Sequence, residues 1–160
     1  DKNDDALLRS NLIAHFTSSA IVVNKEMDKV LFVHHNIYNS WGWVGGHNDG
    51  DEDFLSVAIK EAKEETGVKN IYPYSNDIFS LDTIYVYNHF KNGQYITDHL
   101  HLNITYLLVA DEEDKLFVKI DENSGVKWVK IEEAVSIIDE PRMVPIYKKL
   151  FGYVEQVRKS

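Results

Sequence analysis

Three glutamates stand close together in the segment GHNDGDEDFLSVAIKEAKEETGV, which spans residues 46–68. They are Glu61, Glu64 and Glu65, and their spacings of three and four residues bring side chains together on one face of an α-helix. Like charges at these spacings repel each other, at a cost of about 0.2–0.5 kcal/mol per pair. A divalent cation reverses that effect, because Mg²⁺ prefers carboxylate oxygens and commonly bridges them to substrate phosphates. The spacing therefore indicates a metal site beside a phosphate group.

An amphipathic helix is expected to carry these glutamates, because apolar residues recur at helical spacing, at Leu55, Ala58, Ile59 and Ala62. We expect the helix over residues 53–66, with Asp51 as its N-cap and Gly67 as the left-handed residue that ends it. The three glutamates then fall within an arc of about 100° beside the buried stripe, where they can line a groove next to the core.

A glycine turn precedes the helix at Gly45 and Gly46. Paired glycines allow a tight turn and let backbone carbonyls approach a ligand closely. The plainer interpretation is an ordinary turn beside a solvated acidic face, since runs of charge usually face solvent. The glycine turn, the acidic helix entry, the glutamate spacing and the terminal glycine occur together, and this combination favours a functional site.

The segment resembles the Nudix box, in which a glycine, five residues, a glutamate and seven residues precede the pattern R-E-U-x-E-E-x-G-U, where U is a bulky aliphatic residue. The matching positions are Gly46, Glu52, Glu61, Glu64, Glu65, Gly67 and Val68. Two positions depart from the pattern, because Lys60 replaces the arginine and Ala62 occupies an aliphatic slot. The resemblance implies an α/β fold, a Nudix-like α/β/α sandwich with a mixed β-sheet.

The resemblance also implies an enzyme, a hydrolase dependent on Mg²⁺ or Mn²⁺ that cleaves the pyrophosphate bond of a nucleoside diphosphate linked to another group. In the family the metal is held chiefly by the glutamates that correspond to Glu61, Glu64 and Glu65, with help from the carbonyl that corresponds to Gly46. We expect Glu64 or Glu65 to act as both ligand and base, because a nearby carboxylate can take a proton from the attacking water.

Further acidic residues are expected to support this cluster. In the family, the residue at the position of Glu52 pairs with the arginine, and Lys60 keeps that charge without the bidentate geometry of a guanidinium. Family members often recruit one more acidic residue from a loop ahead of a Trp-containing strand, here residues 126–129. Glu122 is our first candidate and Glu113 the second, although a solvated loop carboxylate is the plainer interpretation of either.

Histidines are the candidate substrate-binding residues. His99 and His101 are two residues apart, so they share one face of a strand, which the resemblance places near the phosphate groove. His34 ends another predicted strand near the glycine turn. A metal role for His99 and His101 lacks a third ligand in the sequence, and purely structural histidines are the remaining alternative.

Composition limits the partners and the location. The 160 residues, 44% of them hydrophobic, predict a single domain over residues 1–160. The net charge of −9 argues against nucleic-acid and anionic membrane partners, but a small nucleoside diphosphate derivative remains compatible because a metal screens its phosphates. The chain has no cysteine, hence no disulfide framework or thiol nucleophile, and we expect a cytoplasmic location. The oligomeric state is not predicted.

The remaining elements alternate between helices and strands. Helical spacing predicts a first helix over residues 5–16, and apolar runs predict strands over residues 18–23, 29–34, 80–87 and 95–110. Asn92 and Gly93 indicate a hairpin turn. A short helix is expected over residues 131–138, and Pro141 is expected to open the final helix.

Two other functions use a similar fold. A non-catalytic module that senses a nucleotide or phosphosugar is favoured only by Lys60, and such relatives typically lose the box glutamates that this chain retains. An isomerase similar to isopentenyl diphosphate isomerase relies on a cysteine, which this chain lacks.

Overall fold

A computed structural model describes residues 5–160. The strands are β1 (Ala14–Val23), β2 (Lys29–His35), β3 (Ser40–Gly42), β4 (Val44–His47), β5 (Ile71–Pro73), β6 (Ser80–Val86), β7 (His89–Lys91), β8 (Gln94–Ile96), β9 (His99–Ala110) and β10 (Asn123–Lys130). The helices are α1 (Phe54–Thr66), α2 (Ile131–Ala134) and α3 (Val144–Lys159), and a 3₁₀ turn at Val135–Ile137 follows α2. Among these described residues, no helix is both long enough and apolar enough to cross a membrane.

The main sheet is mixed, as predicted. Its strands follow the order β10-β2-β1-β9-β5, while β3 pairs with β2, β4 with β1 and β6 with β9. The central pair β1 and β9 is parallel, and the other pairs are antiparallel. Strands β7 and β8 form a separate hairpin. The parallel pair joins strands far apart in the sequence, so β1 and β9 bring residues near position 15 beside residues near position 101.

Helices cover both faces of the sheet because the central strands are apolar on both faces. Along β1, Ala20 and Val22 pack on the side of α1, whereas Ile21 and Val23 pack on the side of α3. All four of these side chains are fully buried, and a buried residue of the size of valine or isoleucine contributes about 1.5–3 kcal/mol through the hydrophobic effect. The predicted α/β/α sandwich is therefore confirmed.

Helix α1 spans the predicted residues to within one position, but its N-cap lies two residues after the predicted Asp51. The N-cap is Asp53, whose Oδ1 accepts a hydrogen bond from the backbone N–H of Ser56 at 3.1 Å. Asp51 instead accepts from the backbone N–H of Asp53 at 2.8 Å, so it shapes the turn before the helix. Gly67 ends the helix as predicted, with φ of 81° and an N–H that donates to Lys63 O at 2.9 Å.

The first predicted helix, over residues 5–16, is wrong. Residues 5–10 form turns, and β1 already begins at Ala14. The apolar residues that suggested a helix are not a buried stripe, because Leu12 and Ile13 are 70% and 77% exposed. Asn11 stops helical growth, since its Oδ1 accepts from the backbone N–H of Ile13 and of Ala14. The strand that follows obtains its hydrogen bonds from β9.

Three other boundaries differ from the prediction. The strand expected over residues 95–110 is two strands, β8 and β9, and Asp98 between them accepts hydrogen bonds from the Asn88 N–H and the Tyr85 hydroxyl. The short helix ends at Ala134 and continues only as the 3₁₀ turn. The final helix begins at Val144, after Pro141, with Pro145 in its first turn.

The hairpin prediction is confirmed, because β7 and β8 are joined by Asn92 and Gly93, both at positive φ (53° and 78°). The single domain over residues 1–160 stays a prediction, and residues 1–4 of it lie outside the described residues.

Candidate active site

A cavity of about 870 Å³ opens beside α1, β4 and β9 and the loop that leads into β10. Two groups of side chains meet at its wall. We call Glu61, Glu64, Glu65 and Glu122 the carboxylate cluster, and we call His15, His47, His99 and His101 the histidine cluster. Each cluster contributes two or more residues to the cavity lining. The cavity has the size of small-molecule sites, which typically enclose about 300–1,000 Å³.

Gly46 on β4 allows α1 to bring a carboxylate against the strand. A Cβ atom at Gly46 would lie 2.6 Å from Cδ and 2.8 Å from Oε1 of Glu61. A side chain at position 46 would force the Glu61 carboxylate to move, so the glycine permits the close approach of Glu61 to β4. The prediction that this glycine serves the glutamates therefore has a geometric basis, although its carbonyl as a metal ligand stays a prediction.

Glu65 is buried behind the cavity lining, with only 1% of its surface exposed. Its Oε1 accepts from the backbone N–H of Gly45 at 3.2 Å, and its Oε2 accepts from Nδ2 of Asn123 at 3.5 Å. Burial, only partly opposed by the Gly45 bond and reinforced by the charge of Glu61, raises the pKa of Glu65 to about 8. In the metal-free chain this carboxyl therefore holds its proton at neutral pH.

Lys119 joins the exposed side of the carboxylate cluster. Its Nζ lies 3.8 Å from Glu64 Oε2 and 3.5 Å from Glu122 Oε1. Burial lowers the pKa of Lys119, but Glu122 and Glu61 outweigh that effect, so the pKa is raised. Burial and the charge of Glu64 raise the pKa of Glu61. The raised pKa of Lys119 shows that negative charge is concentrated around it. Concentrated negative charge favours the binding of a cation.

The carboxylate cluster fits a hard divalent cation. Its donors are carboxylate oxygens, which suit Mg²⁺ and Mn²⁺ better than they suit soft metals. Glu61, Glu64 and Glu122 all line the cavity, so water and a ligand can reach them together with the cation. Glu113, the second candidate for an additional acidic ligand, is exposed in the turn after β9 and is not among the lining residues.

Glu52 and Lys60, which were predicted to support the glutamates as a pair, lie in different surroundings. Lys60 lines the cavity, whereas Glu52 is exposed just before α1 and does not. Within residues 5–160, no ion pair joins these two side chains. An orienting or catalytic role for either residue stays a prediction, and Lys60 is the one placed to meet a ligand.

The structure separates the three predicted substrate-binding histidines. His101 lines the cavity, and His99 lies behind it with its Nε2 3.2 Å from His101 Nε2. His34 lies outside the lining, with Nδ1 2.7 Å from Ser124 Oγ and its ring edge-on to Trp41. Side chains alternate between the two faces of β2, so His35, the residue after His34, lines the cavity instead.

Sequence reasoning did not single out Lys119, His15 or His47. Lys119 lies in an irregular loop that gives no periodic signal. His15 was assigned to the incorrect first helix, and only the pairing of β1 with β9 places it beside His101. His47 follows Gly46 directly, so its position beside the box was the available signal.

Comparison with known proteins adds to this geometry. A sequence model of the NUDIX domain matches residues 14–151, which is most of the chain. The chain belongs to the Nudix family. A curated relative, the RNA pyrophosphohydrolase of Pelagibacter ubique (strain HTCC1062), is 28% identical over 147 residues, covering 86% of this chain and 89% of the relative. The predicted family is confirmed, and the prediction of a Nudix pyrophosphohydrolase is confirmed at the level of this class.

Solved structures of Nudix proteins share the fold. An Ap4A hydrolase of C. elegans, solved as a binary complex, has a TM-score of 0.63 and 18% identity, covering 88% of this chain and 98% of its own. A NUDIX-family hydrolase from Clostridium perfringens has a TM-score of 0.62 and 21% identity, covering 86% and 96%. At these identities the likeness shows the fold alone.

Proposed function

We propose that this Nudix enzyme is a Mg²⁺- or Mn²⁺-dependent hydrolase that cleaves the pyrophosphate bond of a nucleoside diphosphate linked to another group. The observation that carries the proposal is the carboxylate cluster, in which Glu61, Glu64 and Glu122 face one cavity while Glu65 lies buried behind them. Repelling carboxylates that share a site are costly without a cation, and a phosphate substrate brings its metal to the same place.

The exposure of each glutamate to the cavity decides the role that we assign to it. Glu61, Glu64 and Glu122 would hold the cation from the cavity, and Glu65 would hold it from behind Gly45. When bound, Mg²⁺ or Mn²⁺ would neutralise the diphosphate and lower the pKa of the attacking water. We assign the proton-accepting role to Glu64, because it lines the cavity and is exposed to water, whereas Glu65 is not.

The rest of the cavity suits a phosphate ester with an aromatic group. Basic side chains line it at Arg9, Lys60, Lys91, Lys119 and Arg142, and aromatic side chains line it at Trp43, Phe90 and Tyr147. Cationic groups can contact phosphates that the metal leaves uncovered, and an aromatic ring can stack a base. The names of the RNA pyrophosphohydrolase and Ap4A hydrolase relatives support a substrate derived from nucleotides.

A substrate panel tests the proposal. Nucleoside triphosphates, dinucleoside polyphosphates, nucleotide sugars and 5′-triphosphorylated RNA are incubated with the enzyme, and a phosphatase releases phosphate from the products. Each substrate is tested with Mg²⁺, with Mn²⁺ and with EDTA. We expect one class to be hydrolysed with either metal and none with EDTA. Lys63→Gln, a change on the exposed face of α1, is the matched control and should keep wild-type turnover.

A sensing module is the competing function, and Lys60 in place of arginine is the feature that favours it. Such a module would bind Mg²⁺ and a nucleotide without turnover. Isothermal titration of Mg²⁺ and of each panel compound therefore accompanies the assay. Tight nucleotide binding with no product from any compound would contradict the hydrolase and support the sensing function.

A further inference from the structure

Four of the seven histidines of the chain, His15, His47, His99 and His101, form the histidine cluster beside the cavity. The ring of His15 lies 4.9 Å from that of His47, 4.9 Å from that of His99 and 5.0 Å from that of His101. The rings of His47 and His101 are 5.2 Å apart. These residues come from β1, β4 and β9, which are distant in sequence, so the sheet itself assembles the cluster.

A set of possible ligand atoms lies within metal-binding reach. One nitrogen from each of His15, His47 and His101 lies within 4.8 Å of the other two. A tetrahedral Zn²⁺ with bonds of about 2.0–2.1 Å brings its nitrogens to about 3.3 Å from each other. The nitrogens must therefore approach one another by up to about 1.5 Å to surround one ion, and rotation of the rings is the movement that brings them together.

One ring nitrogen of His15, Nε2, has no hydrogen-bond partner among residues 5–160. Its Nδ1 donates to the carbonyl oxygen of Asn11 at 3.1 Å, so Nε2 carries a lone pair. That Nε2 is buried, and the whole residue is only 4% exposed. A buried polar atom without a partner costs about 1–3 kcal/mol, and a metal ion would satisfy it.

Backbone carbonyls also fix the tautomer of the neighbouring rings. His99 Nδ1 donates to the carbonyl oxygen of Thr97 at 2.8 Å, so His99 Nε2 accepts from the Nε2–H of His101. This arrangement leaves a lone pair on the other nitrogen of His101. In metal sites, a ligating histidine commonly donates its second N–H to a fixed acceptor, which orients the ring.

We propose that His15, His47 and His101 form a second metal site, suited to Zn²⁺ or a similar transition-metal ion, and separate from the carboxylate cluster. Nitrogen ligands suit zinc, nickel and copper, whereas Mg²⁺ prefers oxygen. Because His47 and His101 line the cavity, the fourth position opens toward it and can take water or a phosphate oxygen. His99 is a positioning residue that holds His101.

The charge of the surroundings is compatible with a cation. Arg9 is a cationic side chain whose charge acts on His15 and His47, and its guanidinium is paired with Asp49 through bonds of 2.7 and 2.6 Å. Burial, with a further contribution from Arg9, lowers the pKa of His47 to about 3. Burial and His47 lower the pKa of His101 to about 2. Burial therefore disfavours the charged form of both imidazoles, and a metal binds the neutral form.

Competition with a chromophoric Zn²⁺ indicator tests the site in metal-free protein. We expect one tight Zn²⁺ per chain in the wild type. His47→Gln and His101→Gln should each weaken that binding about 100-fold or more, since even outer partners of metal ligands contribute 10- to 100-fold. His34→Gln is the matched control, because His34 is a histidine outside the cavity, and its Zn²⁺ affinity should equal that of the wild type.

Two further measurements keep the result interpretable. Thermal unfolding in EDTA shows whether each variant is folded, and His47, which is less buried than His15, is the variant least expected to disturb the core. Co²⁺ in the histidine site should give the strong visible absorption of a four-coordinate ion. Unchanged Zn²⁺ affinity in folded His47→Gln and His101→Gln would overturn the proposal. Loss of the same tight site in Glu61→Gln would assign the Zn²⁺ to the carboxylate cluster and would also overturn it.

Discussion

The carboxylate cluster and the histidine cluster border the same cavity but arise in different ways. Three of the four carboxylates come from consecutive turns of α1, and their spacing is visible in the sequence. The histidines come from three strands and meet only when β1 pairs with β9 and β4. A site built on one helix can be found by periodicity, whereas a site built across a sheet requires the register of the strands.

The two clusters also differ in electrostatics. Burial raises the pKa values of Glu61 and Glu65 and lowers those of His47 and His101, so it disfavours the charged form of these four side chains. Binding of a cation releases a proton from the carboxylate cluster but not from the histidine cluster. The cation must displace a proton from Glu65, while the histidines are already unprotonated. The metal affinities of the two clusters should therefore depend differently on pH, and their oxygen and nitrogen donors should favour different metals.

The largest expected effect is the loss of turnover on changing the carboxylate cluster. Glu65→Gln keeps the size of the side chain but removes a carboxylate that would hold the cation, and we expect metal-dependent turnover to fall about 100-fold or more, since even outer partners of metal ligands contribute 10- to 100-fold. Steady-state hydrolysis of the substrate found in the panel measures this loss, and circular dichroism verifies the fold. Undiminished turnover would exclude Glu65 from the site.

Next in size is the effect of a methyl group beside Glu61. A Cβ at position 46 would lie 2.6 Å from Glu61 Cδ, so Gly46→Ala must displace that carboxylate. Displacements of about 1 Å can cost about 100-fold in rate, and we expect a loss of about 10- to 100-fold with little change in stability. Gly152→Ala is the control, because a Cβ there meets nothing within 4 Å. It should keep the rate and stabilise α3 by about 0.5–1 kcal/mol. Equal rates for the two variants would show that the contact at Gly46 does not matter.

A smaller effect concerns the pH dependence of stability without metal. Glu65 has a folded-state pKa of about 8, above its ordinary value of 4.5, so between these values the folded chain holds a proton that the unfolded chain has lost. Stability should therefore fall as pH rises through this window, with a contribution of up to about 1.4 kcal/mol per pH unit, and level off above it. Urea unfolding in EDTA at several pH values measures the slope, and Glu65→Gln should lack this contribution. The same slope in both proteins would mean that Glu65 is ionised when the protein is folded.

The smallest expected effect is that of Lys60→Arg. Lys60 is exposed at the edge of the cavity and makes no ion pair with Glu52 within the described part of the chain. Turnover should change by less than about twofold, because arginine keeps the charge and adds only donors. Kinetics of the variant with the panel substrate provide the measurement. A collapse of activity would reveal a role that lysine alone can fill.

The sequence predicted the parts of this molecule that depend on local pattern. The helix that carries Glu61, the turn at Gly67 and the hairpin at Asn92 each follow from spacing or from a residue that tolerates positive φ. The first helix was predicted wrongly because its apolar residues have helical spacing but do not face the core, and Asn11 ends the turn before β1. Leu12 and Ile13 remain exposed, and the strand after them pairs with β9.

Long-range contacts could not be predicted in this way. The burial of Glu65 depends on Gly45 and Asn123, which lie 20 and 58 residues away in sequence. The choice between His34 and His35 depends on which face of β2 meets the cavity, and a shift of one residue reverses it. His15 and His101 become neighbours only through the parallel pairing of β1 with β9, and no turn residue in the sequence predicts that pairing.

The separation of the two clusters is tested most directly by measuring two metals on two variants. Binding of Mn²⁺ is followed by the loss of its free electron paramagnetic resonance signal, and binding of Zn²⁺ by indicator competition, in Glu65→Gln and in His101→Gln. We expect Glu65→Gln to lose tight Mn²⁺ and keep tight Zn²⁺, and His101→Gln to keep Mn²⁺ and lose Zn²⁺. If both variants lose both metals while remaining folded, the two clusters form one site and the separation is contradicted.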